Sequence, residues 1–166
     1  MGKEQFKTGT NHISEELMED LLGAWMAMSI GIKGNRILKA LSFNEMVICR
    51  LLYRAGQEGR EITATDLCHE TRLLKSQVNK VLSDLEEKGL LYRHRDSADK
   101  RRVFLRMTEE KKGIYLKEHG HVMSIIQQVC DRLSKQEIEI LVEKMGKVVD
   151  IMDEPGLLSE KPRSRY

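Results

Sequence analysis

The sequence predicts a mainly α fold with a small β-hairpin wing: a winged helix-turn-helix with N- and C-terminal dimerisation helices. Three observations predict it. Thr63 to Thr108 reads as a short helix, a tight turn, a second helix and two strands joined by Asp96-Ser97-Ala98-Asp99-Lys100-Arg101-Arg102. Basic groups concentrate there: residues 72–106 carry ten Lys/Arg against five Asp/Glu, a net +5, in a chain whose total is only +2. The first helix and the last two carry more apolar surface than a small winged domain can cover, and patches of that size mark an interface.

The elements follow in order. Ser14, with Glu15 and Glu16 behind it, caps a first helix that carries Leu17, Leu21, Leu22, Trp25, Met28 and Ile32 and ends near Gly34. Ser42-Phe43-Asn44-Glu45 has the capping-box pattern and opens a helix that stops in Gly56-Gln57-Glu58-Gly59. Glu61 to Thr63 fits a short third strand. Thr63 or Thr65 caps a helix from Asp66 to about Glu70. The next helix, Leu73 to Lys88, gathers Leu74, Val78, Val81, Leu82 and Leu85 on one face at about 100° per residue. Gly89 ends it as a C-cap glycine. Leu90 to Arg95 and Val103 to Met107 alternate at period two, as paired strands do. Thr108-Glu109-Glu110 starts a long helix carrying Ile114 to Val129. Ser134-Lys135-Gln136-Glu137 is a second capping box and opens the last helix, which runs to Met152.

This gives four segments: 1–36 as an N-terminal dimerisation region, 37–108 as the winged domain, 109–153 as C-terminal dimerisation helices and 154–166 as a flexible tail. The N-terminal dozen residues are polar and expected to be mobile. With 166 residues and 40% apolar content, a core is affordable, and the only two prolines, Pro155 and Pro162, leave the body free to be helical. No signal-peptide pattern and no spanning apolar run occur, so a soluble cytoplasmic protein is expected, with no membrane partner.

Enzyme chemistry finds little support. There is no Gly-rich phosphate loop, no HExxH and no GxSxG, and no cofactor is expected. Metal sensing has weak material: His119 and His121 lie two apart and face different sides of a helix, and His12, His69 and His94 are isolated. Cys49, Cys68 and Cys130 are scattered, which argues against a disulfide framework and a zinc knot. Cys68, just before the basic helix, is the thiol whose modification would matter most. Redox or metal control therefore stays as an alternative.

The outward face of the helix at 73–88 carries Ser76, Asn79, Lys80 and Ser83, with Lys75 and Gln77 on its flanks. A short, hydrogen-bonding, basic surface of this kind suits a helix seated in a DNA major groove. An ordinary solvated face has a similar composition. A winged-helix module that docks an acidic protein partner is the rival from another class.

Leu73-Leu74-Lys75-Ser76-Gln77-Val78-Asn79-Lys80, Leu85-Glu86-Glu87-Lys88-Gly89-Leu90, Arg93, Asp96, Asp99-Lys100-Arg101 and Leu105-Arg106-Met107-Thr108 together resemble the MarR family of bacterial regulators. The resemblance runs from about Ile13 to Met152. It implies a homodimer bound to a pseudo-palindromic operator in double-stranded DNA. It also implies a repressor released by a small aromatic or amphipathic effector. Lys75, Ser76, Gln77, Asn79 and Lys80 would then contact the major groove and its phosphates, and Arg95, Arg101 and Arg102 would serve the wing. Asp99 and Arg101 match the family's Asp-x-Arg wing motif, in which the aspartate orients an arginine that enters the minor groove. Trp25, Met28, Met46 and Tyr53 are the candidates for lining the effector pocket.

Overall fold

In the computed structural model, which describes residues 13–33, 37–97 and 99–154, six helices and three strands follow one another. They are α1 (Glu15–Lys33), α2 (Phe43–Gln57), β1 (Ile62–Thr63), α3 (Ala64–Thr71), α4 (Lys75–Glu87), β2 (Leu91–Arg95), β3 (Val103–Met107), α5 (Lys112–Cys130) and α6 (Lys135–Met152). The polar segment through His12, the helix stop near Gly34, the hairpin residue Ala98 and the tail beyond Glu154 lie outside the described residues. The chain divides into two compact units, residues 1–119 and 120–166. The division falls inside α5 rather than at its start, because the first turns of α5 bury Tyr115 and Glu118 in the first unit.

Local signals set the helix ends. Ser14 Oγ accepts the Leu17 amide. Ser42 and Glu45 form the expected capping box on α2, and Ser134 and Glu137 do so on α6. Of the two threonines offered for α3, Thr63 is the cap: its hydroxyl accepts the Asp66 amide and its own amide donates to the Asp66 carboxylate at 2.8 Å. At the end of α4, Gly89 takes φ +70°. Its amide reaches Glu86 O while the Leu90 amide reaches Leu85 O, which is the Schellman arrangement.

Two expectations are corrected. The fifth helix begins at Lys112 and not at Thr108. The Thr108 hydroxyl instead donates to Gly89 O at 2.6 Å and its amide to Leu90 O, so the residue is spent on closing the strand pair. The fourth helix begins at Lys75, with Leu74 as its N-cap in an extended conformation. Leu74 therefore leaves the helical phase that would have buried it and is 68% exposed.

The sheet has the order β1-β3-β2 and is antiparallel throughout. Ile62 pairs with Leu105, and Arg93 pairs with Leu105 from the other side. Leu105 and Leu91 enter the core. Phe104 faces the other way yet is also buried, so the simple alternation fails on β3. The cause is a cover of side chains on the outer face: the His94 ring lies 5.4 Å from Phe104 and the Arg102 guanidinium sits 5.0 Å from its centroid.

Every buried apolar residue among those described lies between Leu38 and Tyr115. Ile48, Leu67, Val78, Leu82 and Leu85 are its centre. Two carboxylates are buried with them. Glu118 accepts the amides of Lys39 and Ala40, each at 3.0 Å. Glu45 accepts Lys88 Nζ at 2.8 and 2.9 Å and the Ser42 amide at 2.7 Å. Burial pushes the Glu45 carboxyl up, but the Lys88 ammonium and the Ser42 amide and hydroxyl together hold it below its ordinary value.

Lys88→Ala is expected to lower the unfolding free energy by about 2 kcal/mol, less than the roughly 3–5 kcal/mol for an enclosed pair, because the Lys88 side chain is 42% exposed. A carboxyl held low in the folded state contributes stability above its unfolded value, and that contribution is lost as pH falls through the folded value. Denaturant titrations should therefore show stability declining below about pH 4.3, with a shallower decline in Glu45→Gln.

Candidate nucleic-acid interface

The turn before α4 is fixed by three local devices. The Thr71 hydroxyl donates to Leu67 O at 2.6 Å. Arg72 takes the left-handed conformation at φ +58°. The Leu74 amide donates to Gln77 Oε1 at 2.9 Å. From there Val78, Val81, Leu82 and Leu85 are buried, while Lys75, Ser76, Gln77, Asn79 and Lys80 are exposed together. All five residues expected to contact the groove thus share the outward surface of the first half of α4. Gln77 has a second task that the reading missed: it closes the helix start, which leaves its amide N–H groups as the outward donors. The signal was available, since glutamine at the third helical position is half of a capping box. Ser83 is exposed too, but its hydroxyl donates back to Asn79 O.

In the hairpin, the Asp96 amide donates to Arg102 O and the Arg102 amide to Asp99 O. Asp99 Oδ1 accepts the Arg101 amide at 3.0 Å. The aspartate therefore fixes the backbone at Arg101, as an Asx turn does. Asp99, Lys100, Arg101 and Arg95 are exposed. Arg102 is drawn back over Phe104. Arg93 is held by Glu86 at 2.9 Å, which ties β2 to α4. On the outer face, Arg106 and His94 both lean on Glu61, the latter at 3.6 Å.

Of the four effector candidates, Tyr53 packs against Tyr115 in a tilted arrangement, centroids 5.3 Å apart, and lines a cavity of about 420 Å³ with Leu52, Leu105 and Met107. Trp25, Met28 and Met46 are not among its lining residues. Trp25 and Met28 are half exposed on α1, and Met46 is buried in α2. The cavity's cations Arg60, Arg106 and Lys112 are each paired, with Glu70, Glu61 and Glu109. Among the described residues no group of three or more His, Cys, Asp or Glu side chains could hold a metal ion. No helix among them is long and apolar enough to cross a membrane.

The model of the SarA/Rot family of transcriptional regulators matches residues 35–118, half of the chain, and the chain belongs to that family. It is 23% identical over 129 residues to the transcriptional repressor MprA of Escherichia coli K12, covering 76% of this chain and 73% of that protein. The structure of FabT from Streptococcus pneumoniae in complex with DNA aligns with a TM-score of 0.58 at 21% identity, over 83% of this chain and 93% of that one. PcaV from Streptomyces coelicolor, solved with its natural ligand, aligns with a TM-score of 0.62 at 20% identity, over 90% of this chain and 98% of that one. At such identities the structural likeness establishes the winged-helix fold, and the resemblance to MarR regulators holds at that level. The protein is a transcriptional regulator of the MarR/SarA winged-helix type, and its relatives are regulators rather than enzymes.

The cysteines differ in environment. Burial, then the neighbouring Glu45 carboxylate, pushes the Cys49 thiol up to about 12, so it carries almost no thiolate near neutrality. Cys68 and Cys130 are partly exposed. A thiol-reactive chromogenic reagent at pH 8 should leave Cys49 untouched in the native protein. Cys49→Ser should not alter the native thiol count, while the count in denaturant should fall by one.

Proposed function

We propose that this SarA/Rot-family regulator is a homodimeric, sequence-specific DNA-binding repressor, released from a pseudo-palindromic operator by a small aromatic or amphipathic effector. The observation that carries the reading is the shared exposure of Lys75, Ser76, Gln77, Asn79 and Lys80 on a buried-backed helix, in the same unit as a hairpin bearing Arg95 and Arg101. Two such helices in a dimer would address successive major grooves about 34–36 Å apart. Lys75 and Lys80 would lie against phosphates, and Ser76, Gln77 and Asn79 would hydrogen-bond base edges. Arg101, its backbone set by Asp99, would enter the minor groove, and Arg102, stacked on Phe104, would support the hairpin from behind.

Dimerisation by segments 1–36 and 109–153 is supported by the bare apolar side chains on their helices. Leu21, Leu22, Trp25 and Met26 are exposed on α1, Val129 on α5, and Leu141, Val142, Met145 and Val149 on α6. Among the described residues α6 buries nothing. Single exposed apolar residues are ordinary, but three helices with continuous bare stripes call for a partner surface. A second copy of the same stripes is self-complementary under two-fold symmetry. Trp25 and Met28 would line an effector pocket completed by the dimer, with Tyr53 and the deeper Met46 contributing from α2. The repressor role is supported by the name of the relative MprA, and effector release by the ligand complex of PcaV.

Fluorescence anisotropy of the full-length protein should show preference for DNA flanking its own gene over scrambled DNA at two salt concentrations, with both affinities falling as salt rises. Equal affinity for the two duplexes would refute an operator there. Arg101→Ala is expected to weaken the preferred complex by about 1–3 kcal/mol and leave thermal stability unchanged. Val142→Asp should shift sedimentation toward monomers and cut operator affinity along with it.

A further inference from the structure

Leu74 stands at a position where two local rules are broken at once. It is the N-cap of α4, a site that favours Ser, Thr, Asp or Asn because their side chains accept an orphan helix amide. Leucine accepts none, and Gln77 has to satisfy the Leu74 amide from the other direction. Leu74 also projects an isobutyl group into solvent, at 68% exposure, on a helix whose remaining apolar residues are buried. Departures from local consistency in a well-packed domain gather at functional positions.

The surroundings define the occupant. Lys75 and Lys80 lie just beyond on the same exposed half-helix, complementary to phosphates. Ser76, Gln77 and Asn79 offer hydrogen bonds beside them. An acidic protein surface would satisfy the lysines, but the hydrogen-bonding Ser76, Gln77 and Asn79 beside them match base edges. The DNA major groove also has a place for a fixed leucine at the helix tip, because its edge carries a single apolar group, the C5-methyl of thymine. The backbone of Leu74 is held by its bond to Gln77 and by the left-handed Arg72 two residues earlier, so the side chain is presented from a set position.

We propose that Leu74 is a specificity-determining residue that reads a thymine methyl in each operator half-site, and that its poor capping is the cost of that contact. The proposal rests on α4 being the DNA-reading helix. The test therefore begins with the full-length protein selecting its preferred duplex from a random pool. Each thymine of the selected duplex is then replaced by uracil, symmetrically in both half-sites, which deletes the methyl and nothing else. Wild type should lose affinity at one symmetric pair, roughly four-fold per half-site, the weight of one buried methyl group. Leu74→Ala should bind the thymine and uracil duplexes equally. Leu74→Ser should also lose the distinction, yet melt no lower than wild type, since serine completes a capping box with Gln77.

A residue kept for structure would behave in the opposite way, with Leu74→Ser less stable and still sensitive to uracil. That result would overturn the inference. So would a flat uracil scan in wild type, or unchanged uracil sensitivity in Leu74→Ala, and both would leave the DNA-reading role of α4 standing. Selection of no preferred sequence would remove that role and the inference together.

Discussion

Two buried carboxylates bind the strap at residues 38–42 to three helices, and the placement of α4 depends on them. Glu118 of α5 takes the strap's backbone amides at Lys39 and Ala40, and Glu45 of α2 takes the amide of Ser42. Glu45 then takes Lys88, the residue that ends α4, and Lys88 also reaches Ala40 O at 3.4 Å. An unpaired carboxylate in such a position would cost several kcal/mol, so the network is tolerable only with these hydrogen bonds made. Leu38 and Leu41, buried at either end of the strap, keep water from competing. The consequence is positional. The C-terminal end of α4 is clamped to α2 and α5, and its N-terminal end is set by the turn at Arg72 and the Gln77 cap. The outward face between them is left to carry whatever residues recognition requires.

The hairpin is built on a contrast between base and tip. At its base β3 is the middle strand and both faces are covered, by the helical core on the Leu105 side and by His94 and Arg102 on the Phe104 side. Glu61 adds a polar tie by meeting Arg106 and His94 from beyond β1. Beyond Arg95 and Val103 the geometry passes to hydrogen bonds among Asp96, Asp99, Arg101 and Arg102. Exposed charges contribute little to stability, so a tip that carries them is free to serve electrostatic purposes. That division lets arginines collect at the tip without weakening the domain.

How much of this was legible in the sequence depends on the range of the interaction. Devices that act over three or four residues were readable: the Ser42–Glu45 and Ser134–Glu137 capping boxes, the Gly89 turn, and the polar face of α4 all lie where the pattern put them. Leu74 was misjudged because a periodic pattern has no mark for where the helix begins, and one residue outside the helix obeys no phase. Thr108 looked like a helix start because threonine before two glutamates is a cap signal, yet a carbonyl at Gly89, 19 residues away, claimed its hydroxyl. Glu118 carried no signal at all, since its partners lie 78 and 79 residues earlier and are backbone amides of any sequence. For Asp99 the motif marks a position, while the atom it holds, the Arg101 amide, is set by turn geometry that the motif does not encode.

The distribution of burial explains why the terminal helices cannot be accessories. The core between Leu38 and Tyr115 is complete without them, and α1 and α6 take no part in it. Helices of 19 and 18 residues are only marginally stable in water when nothing packs on them, since propensity barely offsets the cost of nucleation. Their apolar stripes therefore have to be covered for the helices to persist, and in the proposed dimer it is the other protomer that covers them. Folding of these helices and association of the chains then become one equilibrium, so that stability depends on protomer concentration. In the proposed dimer the same equilibrium would set the separation of the two α4 helices. A ligand that binds one arrangement of the terminal helices better than another would shift DNA affinity by no more than that difference. On this view the winged unit supplies recognition that is fixed, clamped through Glu45, Lys88 and Glu118, and the bare helices supply a part whose geometry is left to be regulated.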